Sequence, residues 1–241
     1  MCIRDSTGTV AALVLVLLAI PLFSMRLAFT DAGNDPPALT TRQAFDLLSE
    51  GFGPGFNGPL VVAVAMPGPS AAPTVQHLRA AIAATPGVAF VVPPEYNAAR
   101  TGAVLVAYPT TSPQAAPTEA LVRTLRADVI PPVIGGSGVD AQIGGETAGS
   151  IDAATFLGGR LPLVIGAVLV LSFLLLLAVF RSVVLPFKAV VMNLLSVGAA
   201  YGVLVAVFQW GWLGSVIGIG QTGPIDPWIP VTMFTLSLIH I

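Results

Sequence analysis

Charge is what this sequence lacks most. Of its 241 residues only 9% are Asp, Glu, Lys or Arg, against roughly 25% in a soluble globular domain. Ten basic and twelve acidic residues leave a net charge of −2, so no basic surface is offered to nucleic acid. A single cysteine, Cys2, excludes an internal disulfide, and two histidines, His77 and His240, leave little from which to build a metal site. What fills the chain instead is apolar: 55% of residues are hydrophobic and the mean hydropathy is +0.87. This is the composition of a chain that meets lipid.

The two ends read as foreign to the rest. The opening MCIRDS can be encoded by a DNA element whose reverse complement encodes Leu-Ser-Leu-Ile-His, the residues at Leu236–His240. One short element on opposite strands accounts for both, and it resembles the transposon end used in sequencing libraries. Residues 1–6 and 236–241 are therefore expected to be adaptor-derived and are set aside before reasoning about the fold. That leaves about Thr7 to Thr235, with His77 as the one native histidine.

Crossing a hydrocarbon core of about 30 Å takes about 20 apolar residues. Spans are expected at 7–29, with its apolar run from Val10 to Phe29, at 161–180 (LPLVIGAVLVLSFLLLLAVF) and at 187–210, and a fourth begins at 228–235. Short loops set orientation. The turn RSVVLPFK carries Arg181 and Lys188, whereas GWLGSVIGIGQTGPIDPW has no Lys or Arg. The first turn is expected in the cytoplasm, which places 30–160 outside and puts Trp210, Trp212 and Trp228 at the interface. Arg26 and Arg160 near the outer face run against this orientation.

Residues 30–160 are long enough for a domain. Apolar runs at Pro59–Met66, Val88–Val92, Ala103–Tyr108 and Val139–Ile143 alternate with helical periodicity at Ala72–Ala84 and Glu119–Ile130. Val75, Leu78 and Ile82 share one helical face; Leu121 or Val122, Leu125 and Val129 share another. The order β-α-β-β-α-β is the ferredoxin-like one. Ahead of it a short helix is expected, capped by Thr40 or Thr41 and ended by Gly51. The fold class that follows is an α-helical membrane protein with an extracytoplasmic α+β domain.

Motifs that carry chemistry elsewhere lack their context here. Gly218-x-Gly220-x-x-Gly223 matches the dinucleotide fingerprint but has no preceding strand and runs into Pro224, so it reads as a loop. His77 lies off the apolar face of its helix and reads as a surface residue. Gly135-Gly-Ser137-Gly138 is not the nucleophile elbow, and no base is placed to activate Ser137. No cofactor, metal or catalytic group is expected. On the third span Gly198 and Gly202 form G-x-x-x-G beside Ser196, and such small residues are expected to let a neighbouring helix approach. Asn193 and Tyr201, eight apart on one face, are expected to bond neighbouring helices. No Asp, Glu, Lys, Arg or native histidine lies centrally in any span, so a proton relay, which needs an ionisable group within the membrane, has no residue in this chain.

The runs DAGNDP, TTRQAFDLLSEGFGPGFNGPL, GGETA, LPLVIGAVLVLSFLLLLAVFRSVVLPFKAVVMNLLSVGAAYGVLVAVFQWGWLG and TGPIDPWIPVTMF resemble the mycobacterial membrane protein large (MMPL) family of the resistance-nodulation-division superfamily. The resemblance covers nearly all of Thr7 to Phe234. It implies two repeats of a helix, an outer ferredoxin-like porter domain and five further helices, with this chain at the start of the second repeat. It also implies a multi-pass inner-membrane exporter of lipids or other hydrophobic compounds, driven by the proton-motive force. In the family an Asp-Tyr proton-relay run follows the segment matched by PVTMF, and here LSLIHI stands in its place. The implied partners are membrane lipids, a hydrophobic or lipid substrate, the remainder of the transporter chain and, as an option, a second copy. A membrane-anchored sensory or scaffold protein, or a protein-export accessory factor, would share the layout. A first repeat and an Asp-Tyr helix in the complete gene would distinguish the exporter.

Overall fold

A computed structural model describes residues 3–217 and 221–239. Gly218 and Gly220 of the glycine motif, Cys2 and His240 lie outside the described residues. The chain divides into two compact units, residues 31–153 and residues 1–30 with 154–241.

Helix α1 (Ile3–Ala19) passes into a 3-10 segment, Ile20–Ser24, and the backbone turns extended at Met25. The helical stretch thus stops five residues before the expected Phe29. Pro21 lacks an N–H and cannot continue an α-helical ladder, and Ser24 Oγ donates to the Pro21 carbonyl at 2.8 Å. Arg26 to Ala28 pair with Ile225: Ile225 N–H donates to Arg26 O at 2.9 Å, and Ala28 N–H to Ile225 O at 3.2 Å.

The second unit begins with α2 (Thr40–Phe52). Its N-cap is Leu39, not Thr40 or Thr41, because the Thr41 hydroxyl is drawn to Asp35 Oδ2 at 2.7 Å. It ends at Gly53, not Gly51; Gly53 has φ 97°, where a side chain would strain the backbone. Then follow β1 (Leu60–Ala65), α3 (Ala72–Ala83), β2 (Val88–Val91), β3 (Glu95–Tyr96), β4 (Gly102–Pro109), α4 (Ala116–Thr124), α5 (Ile130–Ile134) and β5 (Asp140–Gly144). The sheet runs β2-β4-β1-β5 with every pairing antiparallel, and β3 also pairs with β4. Alternate residues of the strands face the helices, so Leu60, Val62, Val64, Leu105, Ala141 and Ile143 are buried with Val75, Leu78 and Ile82 of α3.

Two features of this unit differ from the expectation. β3 lies between the expected runs Val88–Val92 and Ala103–Tyr108, where the sequence marks no strand. Asn97 makes this possible: its side-chain oxygen accepts from Thr101 N–H at 2.9 Å and Gly102 N–H at 3.1 Å, which closes the β3–β4 hairpin. The second helix is also not one continuous α-helix. Between α4 and α5, Leu125–Val129 form a π turn, with Ile130 N–H donating to Leu125 O. Pro131 and Pro132 follow at once; neither can donate, and each ring would meet the carbonyl four residues back. The extra residue moves the buried face on by one, so Ile130 enters the core and Val129 only packs against it.

Helix α6 (Glu146–Phe180) starts fifteen residues before the expected span and contains Pro162. After Arg181-Ser182-Val183 comes α7 (Val184–Leu204), extended by a π turn at Val205–Gln209. Short α8 (Gly214–Ile217) and α9 (Trp228–Ile239) complete the described chain. Both α6 and α7, the latter counted to Gln209, are long and apolar enough to cross a membrane. None of the most apolar stretch of α6 is buried inside the fold, whereas 33% of that of α7 is. So much uncovered apolar surface is costly in water and favourable against hydrocarbon.

Candidate functional site

Helices α1 and α7 pack along their lengths, and glycine sets how closely. A Cβ at Gly202 would overlap the Leu18 carbonyl oxygen and stand 3.1 Å from Ala19 Cα. At Gly198 it would meet Ala19 Cβ at 3.5 Å, an ordinary van der Waals contact. The two positions therefore differ in kind: only Gly202 lets backbone meet backbone. Ser196 lies off this contact and is exposed, because two residues before Gly198 is a rotation of about 200° around the helix.

Two polar residues of α7, Tyr201 and Asn193, sit on a buried side. Tyr201 is 3% exposed and its hydroxyl donates to the Pro230 carbonyl in the first turn of α9. Asn193 is 9% exposed, two turns away. With Val197, Leu22 and Phe234, Tyr201 forms the apolar centre of this unit. Arg181 and Lys188 are both exposed, but the turn between α6 and α7 is shorter than expected. α7 starts at Val184, so Lys188 stands on the helix. Pro186 does not prevent this, because the first N–H groups of a helix have no intrahelical partner to lose.

Gln209 is a residue the sequence alone does not single out. Its Nε2 donates to Ser24 O at 2.7 Å and its Oε1 accepts from Arg26 N–H at 2.9 Å. One side-chain amide thus satisfies backbone groups left open where the first helix ends. No periodicity or motif marks it, since the partner is 185 residues away.

The unit of residues 31–153 carries its own polar hub. Arg42, 8% exposed, donates from Nε to both Asp46 oxygens at 2.8 and 2.9 Å and from Nη1 to Gly33 O at 2.6 Å. Asp31 accepts from Gly33 N–H at 2.7 Å. Burial raises the Asp31 carboxyl above its ordinary value; the bonds from Gly33 and Gln114 oppose this, and Glu146 and Asp35 add to it. Its charged form is thus disfavoured in the fold at neutral pH, a penalty relieved as pH falls. Asp152 does the opposite. Arg126 grips it at 2.5 and 2.8 Å and holds its carboxyl below the usual range, so that contribution is present at neutral pH and lost as pH falls through the depressed value. Both partners are partly exposed, so the effect is small.

The remaining sequence candidates stay apart. His77 is exposed on α3, and Ser137 Oγ donates to Ile134 O at 2.6 Å within a turn. Among the described residues no group of three or more His, Cys, Asp or Glu is placed to hold a metal ion. A depression with polar rims lies on one face of the sheet, between β3, β4, β1 and β5.

A family profile described as MMPL family matches residues 68–216. The mycolic acid-containing lipids exporter MmpL11 of Mycolicibacterium smegmatis is 32% identical over 238 residues, covering 96% of this chain and 25% of that protein. The haem uptake protein MmpL11 of Mycobacterium tuberculosis (strain H37Rv) is 34% identical over 236 residues, covering 96% of this chain and 24% of that one. The chain thus spans about a quarter of the length of these curated relatives. A solved structure, mycobacterial membrane protein MmpL11D2, is 23% identical with a TM-score of 0.29, covering 35% of this chain and 99% of its own.

Proposed function

This chain belongs to the MMPL family, and from that premise we propose that it forms part of a proton-motive-force-driven exporter of lipids or other hydrophobic compounds across a bacterial inner membrane. The observation that carries the reading is the 32% identity, over 96% of the chain, to a protein named for exporting mycolic acid-containing lipids. Within the resistance-nodulation-division layout, residues 31–153 serve as the outer porter domain. Their strand order β2-β4-β1-β5, with helices between β1 and β2 and between β4 and β5, supports a ferredoxin-like assignment. The segment is read as belonging to the second of two repeats. Gly198 and Gly202 hold α7 against α1, and Tyr201 holds it to α9. The acid that carries protons is supplied by other parts of the exporter, because the apolar stretches of α6 and α7 hold none.

The full-length protein in proteoliposomes should move a labelled glycolipid when a pH gradient is imposed, and a protonophore should stop it. Lipid movement that ignores the protonophore would remove proton coupling. Haem movement in place of lipid movement would replace the substrate class.

Orientation is tested on the chain itself. Arg181 and Lys188 support a cytoplasmic α6–α7 turn, with residues 31–153 then outside. In a Cys2→Ser chain in intact cells, Ser112→Cys should react with an impermeant thiol reagent and Ser182→Cys should not. The reverse pattern inverts the topology.

A further inference from the structure

Helices α3 and α4 cover one face of the sheet; on the other, Phe52 and Phe56 stack over Tyr108 and Phe90 at one end, and the end that holds Gly102, Ala63 and Ala65 is left open. On that face the strand register sets Glu95, Val104, Ala63 and Gln142 in one row, and Gly102, Ala65 and Asp140 in the next. On the two central strands of these rows, β4 and β1, no side chain is larger than valine, and the result is a trough of about 460 Å³. Ala63, Ala65 and Val104 are exposed along it.

Its rims are acidic and unbalanced. Glu95 stands on β3 and Asp140 on β5, and no residue lining the trough is a cation. Among the described residues Asp140 accepts only from Gln142 Nε2, at 3.1 Å. Among the described residues the ion pairs are Arg42–Asp46, Arg123–Glu119 and Arg126–Asp152, which leaves Glu95 and Asp140 without a counter-charge. The cation of the β3–β4 hairpin, Arg100, lies over the Tyr96 ring at 5.4 Å, and Tyr96 alternates with Glu95 and faces the other way.

Three strand spacings across the sheet and two residues along it separate the two carboxylates, about 16 Å, so one ammonium group cannot serve both. We infer that this trough binds a linear di- or polyammonium compound, with its terminal amines against Glu95 and Asp140 and its methylene chain on Ala63, Ala65 and Val104. Aliphatic amines are charged at neutral pH, as lysine is. A flat floor of small side chains admits a methylene chain and rejects nothing along its length. The site is open to solvent, so binding is weak and falls as salt is added. The assignment does not rest on the export reading.

Spermine titrated calorimetrically into the full chain, in a zwitterionic detergent at low salt, tests it. One saturable site is expected. Glu95→Gln and Asp140→Asn should each weaken it about three-fold and together about ten-fold. Ala63→Phe keeps both carboxylates but fills the floor, and should abolish binding. Butylamine should bind far more weakly than spermine. All three positions are exposed, so the thermal midpoints should match the parent's, which separates lost binding from lost folding. Heats without saturation overturn the inference, as does binding unchanged in the double variant. Binding that needs the carboxylates but survives Ala63→Phe reduces it to charge attraction and overturns the trough.

Discussion

Gly202→Leu is expected to destabilise the helical unit by about 3 kcal/mol, the upper end for forcing bulk into a packed interior. Even the first carbon of the new side chain would overlap the Leu18 carbonyl oxygen, which is backbone and cannot rotate aside. The helices would have to separate, and with them the contacts of Val197 and Tyr201. Gly198→Ala is the control and should act in the opposite direction. Its Cβ falls 3.5 Å from Ala19 Cβ, an added contact, and alanine is favoured over glycine inside a helix by up to about 1 kcal/mol. Unfolding of the full chain in mixed micelles by added SDS, followed by tryptophan fluorescence, measures both. Equal losses at the two glycines would sink the account of a single close approach at Gly202.

The second large effect belongs to the sheet. Leu105 is fully buried at the middle of β4, among Leu60, Val62 and the apolar face of α3. Leu105→Ala should cost about 3 kcal/mol, the lost transfer free energy together with the cavity left behind. Its neighbour Val104 is 42% exposed on the other face, so Val104→Ala should change stability by no more than about 0.5 kcal/mol. Thermal circular dichroism of the full chain decides it. A Val104→Ala loss as large as that of Leu105→Ala would mean that something covers the face assigned here as open.

What was legible in the sequence was whatever depends on neighbours in the chain. Val75, Leu78 and Ile82 repeat at helical spacing, and all three are buried. The apolar runs appear as β1, β2, β4 and β5 to within a residue at each end, since alternation marks a half-buried strand. Ends were less legible, because a cap is a competition. Thr41 had the chemistry to cap α2 but found Asp35 instead. Pro131 and Pro132 announced that a helix must stop, but not that the preceding turn would widen and bring Ile130 inward. Ser196 looked like part of the small-residue face by composition, while its rotation about α7 puts it elsewhere. Least legible were contacts between distant segments, such as Tyr201 with Pro230 and Arg126 with Asp152. Nothing local distinguishes these residues from others of their kind.

The π turn at Val205–Gln209 limits what length changes this part of the chain can tolerate. A π turn holds one residue more than the α-helical ladder would, and Trp210 N–H reaches back to Val205 O at 2.9 Å. Deleting a single residue there would restore an ordinary ladder and turn everything after it by about 100°. Gln209 would rotate away from Ser24 and Arg26, and those backbone groups would lose the amide that serves them as a substitute strand. A deletion that improves local helix regularity would thus unfasten a segment 185 positions earlier in the chain.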